Sequence, residues 1–225
     1  MPALIHWWTQ DVLAVAPTAF EDAVQAAGAD LLARWSQPHR HYHDTRHLVE
    51  VFWALEELED AREIGERSAT VCRLAGWFHD AVYAADAPAG ANEADSALLA
   101  RAVLPGLDLD HADVDAVESL VLMTAAHSDA AEAPADAGRC FHDADLWILS
   151  AEPDRFDAYC GQVRAEYSFV PDAAYRAGRA HLLRTFAGRD RIYRTDHARS
   201  EWEPRARVNL DRELTRLGAP ELDPL

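Results

Sequence analysis

The sequence predicts an all-α fold, and three observations support this prediction. Apolar positions recur about one helical turn apart through most of the chain, as His47, Val51 and Leu55 do. The sequence contains no convincing run of alternating, strand-like residues and no internal repeat. With 225 residues, 49% of them hydrophobic, the chain is long enough to bury one large core. We therefore expect a single helical bundle over residues 1–225, with its core at about 30–217.

Helix signals follow one another along the chain. The stripe that begins at His47 is followed by an apolar stretch over 71–78. Asn92 precedes acidic residues and then an apolar run, which is typical of a helix that begins with a capping Asn. Pro153 and Pro171 suit the first turn of a helix. We expect further helices over 114–127, 153–166, 171–187 and 200–217.

Loops are expected where Pro, Gly and Ala-Asp clusters collect. These clusters lie at 85–91, 104–109 and 128–138. The last of them, from Ser128 to Gly138, is the only candidate linker. At about eleven residues it is short enough to be a surface loop within one domain.

The charge balance excludes some partners and some chemistry. The net charge is −18, from 21 basic and 39 acidic residues, which argues against binding to a nucleic acid polymer or to an anionic membrane. All the basic residues are Arg, and the absence of Lys excludes Schiff-base chemistry and a P-loop lysine. A small phosphorylated ligand remains compatible with this charge, because a few arginines and a metal ion can make a pocket locally positive.

Cysteine usage indicates a reducing compartment, and hydropathy predicts no membrane span. The three cysteines are far apart and show no CxxC spacing, so they predict neither a disulfide framework nor a thiolate zinc site. The N-terminus lacks a basic segment followed by an apolar stretch, and no segment approaches the ~18 apolar residues of a membrane span. We expect a cytoplasmic protein that is a monomer or a homodimer and has no membrane partner.

Three short stretches contain residue types that suit a divalent metal ion, which takes imidazole and carboxylate ligands. A His-Asp pair among residues such as Trp77 and Phe78 is costly to bury unless a cation offsets its desolvation. Each stretch on its own has a simpler explanation, such as a histidine at a helix end or an N-capping Asp. All three in one helical chain favour a metal site. The residues concerned are His43, His47, His79, Asp80, Asp143 and Asp145.

The order of these residues resembles the HD superfamily of metal-dependent phosphohydrolases, which has a His, then a His-Asp pair, then a distal Asp, all on helices. Residues 43–51 are similar to the opening HDxxHxxxV helix of that family, which implies that His47 is a metal ligand. His79 and Asp80 fall on the namesake pair. Residues 144–146 are similar to the closing Ala-Asp-x-Leu element, which implies Asp145 as the fourth ligand in preference to Asp143. The implied cofactor is a divalent ion: Mn, Mg, Ni, Co, Zn or Fe.

Further motifs make the chain similar to a group of uncharacterised predicted phosphohydrolases within that superfamily. The similarity extends over roughly residues 30–217, but it does not identify a substrate. The motifs lie at 40–43, 77–83, 92–97, 124–127, 143–146, 175–179, 189–193 and 206–210.

The resemblance implies hydrolysis of a nucleotide or another small phosphoester by a metal-activated water. Asp80 is expected to bridge the metal and that water. Tyr83 stands where HD nucleotidases often have a Glu, and Glu93 is the best substitute as the group that orients or deprotonates water. His127 is expected to contact the phosphate or the leaving group. The alternatives are a first-turn Glu that interacts with a helix dipole and a helix-end His held by backbone carbonyls.

Arginine suits the bidentate recognition of phosphate. Arg40, just before the His43 turn, is the first candidate, followed by Arg179 and Arg189. His43 is placed with these substrate-binding residues. For each Arg the alternative is a solvated or acid-paired surface side chain.

Two other functions remain open. A di-iron HD-type oxygenase needs two extra histidines between the His-Asp pair and the last Asp, an interval that contains His111, His127 and His142. His111 lies in an acidic run typical of an exposed helix start, and His142 is only three residues from Asp145, so the spacing disfavours this function. A non-catalytic nucleotide-binding module is the third possibility, although such a module would be expected to lack one of the metal ligands, and all four are present.

Overall fold

The computed structural model describes residues 2–127 and 131–218. Helices make up 72% of the structure, and no β-strand occurs in the described ranges, which confirms the predicted all-α class. No helix of these ranges is both long enough and apolar enough to cross a membrane.

Ten α-helices are found in the described residues. They are α1 Pro2–Val15, α2 Glu21–Trp35, α3 Thr45–Asp60, α4 Glu66–Phe78, α5 Ala91–Val103, α6 His111–Met123, α7 Ala135–Asp145, α8 Pro153–Glu166, α9 Asp172–Ala187 and α10 Glu203–Arg216. Two 3₁₀ turns, Leu104–Leu107 and Leu146–Ser150, and one π-helical turn, Ala198–Trp202, complete the regular structure.

Helix α4 lies at the centre of the bundle and packs against α1, α3, α5, α6 and α7. Nearly every residue from Ala69 to Phe78 is buried, as expected for a helix that is apolar all round. Trp8 of α1 and Trp77 of α4 are fully buried and meet edge-to-face, with ring centroids 5.6 Å apart. The C-terminal end of α4 is buried, so the chain that follows Phe78 starts inside the protein.

The start of α3 differs from the prediction. The four-residue spacing of His43 and His47 predicts that both project from one helical turn. This prediction is wrong, because α3 begins only at Thr45. Asp44 has extended backbone geometry, and its carboxylate accepts hydrogen bonds from the backbone N–H groups of Arg46 and His47. This N-cap ends the preceding loop and leaves His43 outside the helix.

Helix α5 also begins differently from the prediction. Its N-cap is Gly90, which has a left-handed φ of 78°, so the expected capping role of Asn92 is wrong. The Asn92 side chain instead donates to the backbone carbonyl of Ala84 at 3.0 Å and accepts from its N–H at 3.1 Å. Asn92 therefore ties the loop after α4 to the first turn of α5.

Three boundaries shift by a few residues. Helix α6 ends at Met123, and a turn leads from there to His127, so the expected helix over 114–127 is too long. Pro171 is the N-cap of α9 and not its first residue. The expected loop at 128–138 is too long, because α7 already begins at Ala135, immediately after Pro134. Residues 128–130 lie outside the described part of the chain.

Candidate metal centre and its cavity

Three helix ends bring two histidines and two aspartates together. His47 lies in the first turn of α3, His79 and Asp80 follow α4, and Asp145 is the last residue of α7. The Nε2 atoms of His47 and His79 are 3.2 Å apart. Asp80 Oδ2 lies 3.3 Å from Nε2 of His79 and 3.7 Å from Nε2 of His47. Asp145 Oδ1 lies 3.4 Å and 3.3 Å from the same two nitrogens.

These distances fit a coordination shell. Two N or O ligands that each lie at 2.0–2.2 Å from one divalent ion are about 3.0–3.5 Å apart. His79 Nδ1 donates to the carbonyl of Gly76 at 2.8 Å, so that the Nε2 atom would supply the lone pair if the neutral ring bound a metal ion. Two imidazole nitrogens at 3.2 Å, flanked by carboxylates, form a donor set that suits a cation. His47, His79 and Asp80, whose ligand atoms lie within 4.8 Å of one another, could hold a metal ion.

Aromatic side chains hold the two histidines in place. Trp35 Nε1 donates to the carbonyl of Trp77 at 2.9 Å, and its ring lies 5.4 Å from the ring of His79 and 6.2 Å from that of His47. The hydroxyl of Tyr42 lies 3.1 Å from His47 Nδ1. Both imidazoles therefore have their Nδ1 atoms engaged and their Nε2 atoms directed toward the carboxylates.

The cluster is strongly coupled electrostatically. Burial alone would raise the pKa of Asp80 and Asp145, but the adjacent histidines hold both pKa values below the usual range for Asp. Burial opposes the charged form of His79, yet the two carboxylates raise its pKa well above the ordinary value. Both aspartates are therefore ionised at neutral pH and attract positive charge to this point.

Asp143 and Asp145 have different surroundings. Asp143 is fully buried and accepts hydrogen bonds from the backbone N–H groups of Arg194 and Thr195, from the Thr195 hydroxyl and from His142 Nδ1. These contacts tie the segment before the π-helical turn to α7. Asp145, which the sequence pattern favours over Asp143, faces the histidines.

The cluster opens into a cavity of about 580 Å³. Glu93, His43 and His127 also line this cavity. His127 Nε2 lies 4.0 Å from Asp145 Oδ2, and burial lowers the pKa of His127 to about 4. His127 also has a left-handed φ of 48°, a conformation that non-glycine residues adopt rarely and that clusters at functional sites.

The three arginines proposed from the sequence occupy different places. Arg40 is buried but does not line the cavity; its guanidinium donates to the carbonyls of His43, Asp80 and Ala81 at 3.0, 2.7 and 3.1 Å. Arg189 is also outside the cavity wall, with its guanidinium 4.7 Å from the centre of the Phe186 ring. Arg179 does line the cavity and is 8% exposed.

Glu166, at the end of α8, is a site residue that sequence reasoning missed. Its Oε1 accepts from the backbone N–H groups of His41, Tyr42 and His43 at 2.8, 2.8 and 3.0 Å. Its Oε2 accepts from His43 Nδ1 at 2.7 Å and from the Tyr83 hydroxyl at 2.9 Å. The signal was a Glu at a core position of α8, three residues after the buried Val163.

The structure gives little support to a second metal position. His111 is exposed at the start of α6, and the Nδ1 of His142 is bound to Asp143 at 3.0 Å. Of the three histidines in that interval, only His127 lines the cavity. Within residues 2–127 and 131–218, His47, His79 and Asp80 form the one group of three or more potential ligands with suitable spacing.

No known family model matches the chain, and neither does any curated protein or solved structure.

Proposed function

We propose that the protein is a metal-dependent phosphohydrolase that acts on a nucleotide or another small phosphoester. The observation that carries this proposal is the convergence of two imidazole nitrogens and two ionised carboxylates, at 3.2–3.7 Å, on the wall of a cavity large enough for a small ligand. The resemblance of the His, His-Asp and Asp motifs to the HD superfamily supports the same conclusion.

His47, His79, Asp80 and Asp145 would hold the cation. A divalent ion supplies Lewis acidity, which neutralises charge on a phosphoryl oxygen and lowers the pKa of water. Asp80 would also accept a hydrogen bond from the attacking water. The cation also offsets the negative charge that the two aspartates bring into the interior, which would otherwise repel an anionic substrate.

Glu93 is proposed to act on the attacking water, and His127 is proposed to act on the substrate. Glu93 offers a carboxylate in the cavity wall that can orient the water and accept its proton. His127, with its pKa lowered to about 4 by burial, is neutral at physiological pH and contacts the substrate as a hydrogen-bonding group, without a positive charge.

His43 is proposed to contact the substrate through Nε2. Its Nδ1 is bound to Glu166, which fixes the ring and leaves Nε2 as the nitrogen available to the cavity that His43 lines. Arg40 takes a positioning role, because its guanidinium connects the His43 carbonyl to those of Asp80 and Ala81. This contact fixes the His43 turn against the His-Asp pair.

The test is phosphate and pyrophosphate release from a panel of nucleotides and small phosphoesters, with Mn, Mg, Ni, Co, Zn or Fe supplied in turn to chelator-treated protein. The metal content of the protein is measured in parallel. Asp145→Asn keeps the shape of the side chain and removes its charge, and Asp60→Asn, at an exposed position of α3, is the matched control.

We expect metal-dependent release that falls about a hundredfold or more in Asp145→Asn and is unchanged in Asp60→Asn. The absence of release with every metal would refute the proposal for those substrates. Tightly bound iron with oxidation of the substrate would favour an oxygenase, and nucleotide binding without release would favour a binding module.

A further inference from the structure

Arg179 is a buried cation without a counter-ion. It projects from α9 into the cavity wall and is 8% exposed. Its Nε and Nη2 atoms are buried and have no hydrogen-bond partner, and Arg179 forms no ion pair with a carboxylate of residues 2–127 and 131–218. A charged group in this condition is costly for a folded protein, so the position calls for a partner that the described chain does not supply.

An oxyanion is the partner that fits this guanidinium. The planar fork of an arginine matches a carboxylate or a phosphate with two parallel hydrogen bonds. The Tyr159 side chain contacts the guanidinium with its ring at 4.9 Å and as a hydrogen-bonding group, and Arg179 lines the cavity. The cavity is therefore the place from which an anion could approach Arg179.

This anion position is separate from the metal cluster. The ring of His47 lies 4.7 Å from that of Tyr42, and the ring of Tyr42 lies 4.5 Å from that of Tyr159, on which Arg179 rests. The contacts run from His47 through the rings of Tyr42 and Tyr159 to the guanidinium, and Arg179 forms no hydrogen bond or ion pair with the four residues of the cluster. A second anionic group, distinct from a phosphoryl group at the cluster, suits Arg179.

The cavity wall is mainly apolar. The side chains there include Leu146, Leu149, Val163, Leu183 and Phe186. Leu182, at 46% exposure, continues this apolar wall to the surface. Arg179 is the only arginine lining the described cavity, whereas the lining also contains the carboxylates of Glu93, Asp80 and Asp145. Several phosphates close together would meet acidic residues and one guanidinium, so a polyphosphate chain fits this charge pattern poorly.

We infer that the cavity takes a phosphomonoester with a second oxyanion, a carboxylate or a phosphate, at the far end of an apolar or planar body. The scissile phosphate lies at the metal cluster, and the second oxyanion binds Arg179. The pairing of both groups in one substrate rests on the proposed function. Anion binding by Arg179 does not, and the two parts are tested separately.

The first experiment uses inorganic phosphate as the probe and chelator-treated protein, so that no metal contributes. Phosphate that binds the folded state raises the thermal midpoint with increasing concentration. We expect this rise in the wild type and its loss in Arg179→Met. Arg184→Met, on the same helix but outside the cavity wall, is the matched control and should keep the rise.

Arg179→Met also tests whether the guanidinium is truly without a partner. The substitution removes an uncompensated buried charge, so the thermal midpoint without phosphate should be equal to or higher than that of the wild type. A lower midpoint would mean that Arg179 serves the fold. Arg179→Lys keeps the charge and loses the fork, and it should retain part of the phosphate effect.

The second experiment compares alkyl phosphates with ω-phosphooxy carboxylates of matched chain length in the metal-loaded enzyme. At the best length we expect the carboxylate to lower KM about tenfold to a hundredfold, the range that a charged hydrogen bond provides. The ratio of the KM of the alkyl phosphate to that of the matched ω-phosphooxy carboxylate should fall to near one in Arg179→Met. In Arg184→Met the ratio should stay as high as in the wild type. A ratio near one in the wild type would overturn the assigned substrate class.

The two experiments fail differently. If no phosphoester is hydrolysed, the proposed function fails, while the phosphate-dependent midpoint still decides whether Arg179 binds an anion. If hydrolysis occurs but phosphate stabilises wild type and Arg179→Met equally, the proposed function stands and the Arg179 site is refuted.

Discussion

Glu166 offers the sharpest test of how the site is held together. Burial alone would raise the pKa of this carboxyl, but the hydrogen bonds from His43 and from the backbone lower it from 4.5 to about 2. Each pH unit between these values corresponds to about 1.4 kcal/mol of differential stabilisation. Ionised Glu166, which is 6% exposed, therefore contributes about 3 kcal/mol to the free energy of unfolding at neutral pH.

Glu166→Gln removes the charge and keeps the shape and one carbonyl oxygen. We expect the free energy of unfolding, measured by urea denaturation at neutral pH, to fall by about 2–3 kcal/mol with an unchanged m-value. Glu56→Gln, at an exposed position of α3, is the control and should change stability by less than about 0.5 kcal/mol.

The pH dependence of this difference gives a second check. Because the folded-state pKa of Glu166 is depressed, its contribution is fully present above about pH 4.5 and is lost as the pH falls toward about 2. The gap between wild type and Glu166→Gln should therefore narrow to about 1.4 kcal/mol at pH 3. A gap below about 0.5 kcal/mol at neutral pH, or one that stays constant down to pH 3, would refute the reasoning.

Three further predictions follow from the contacts. Mn²⁺ should raise the thermal midpoint of the chelator-treated wild type but not that of Asp145→Asn, and equal shifts would argue against the metal centre. Gly28→Ala should lower the free energy of unfolding by about 1–3 kcal/mol, because its methyl group would collide with the Trp8 ring; unchanged urea stability would contradict this packing. Glu50→Gln should cost about 2–3 kcal/mol by the same assay, since the partly buried Arg155, bound to Glu50 at 2.6 and 2.7 Å, would lose its carboxylate partner; a loss below about 1 kcal/mol would mean that the pair contributes little.

The parts of the fold and site that are predictable from sequence are those with local signals. Helical periodicity gives the all-α class because each helix has to bury its own apolar face. His79 and Asp80 are recognisable because they follow an apolar helix that has no reason to end on charged groups. Helix starts are less predictable, since tertiary contacts compete with capping. Asn92 binds the backbone of Ala84, and Gly90 takes the cap instead.

Residues that act through distant partners are not visible in a local pattern. Glu166 is 123 positions from His43 along the chain, and only the folded bundle brings the two together. The sequence position of Arg40, just before the His43 turn, suggests a residue that binds phosphate. In the structure its guanidinium instead donates to the carbonyls of Asp80 and Ala81, which are about forty residues away along the chain. Whether the Arg179 guanidinium has hydrogen-bond partners depends on the residues that surround it in the fold. The sequence alone does not show which residues those are.

The contrast between Arg40 and Arg179 shows how the protein divides its buried charge. The Arg40 guanidinium donates hydrogen bonds to backbone carbonyls, and Glu166 accepts hydrogen bonds from three backbone N–H groups. Both side chains therefore stabilise the loop before α3, and we expect them to stay in place when a ligand binds. Arg179 has no such contacts for two of its nitrogens. Stabilising contacts are therefore concentrated in the loop before α3, while the hydrogen bonding of Arg179 at the cavity wall is left incomplete. Ligand binding gains free energy where folding has left charge uncompensated.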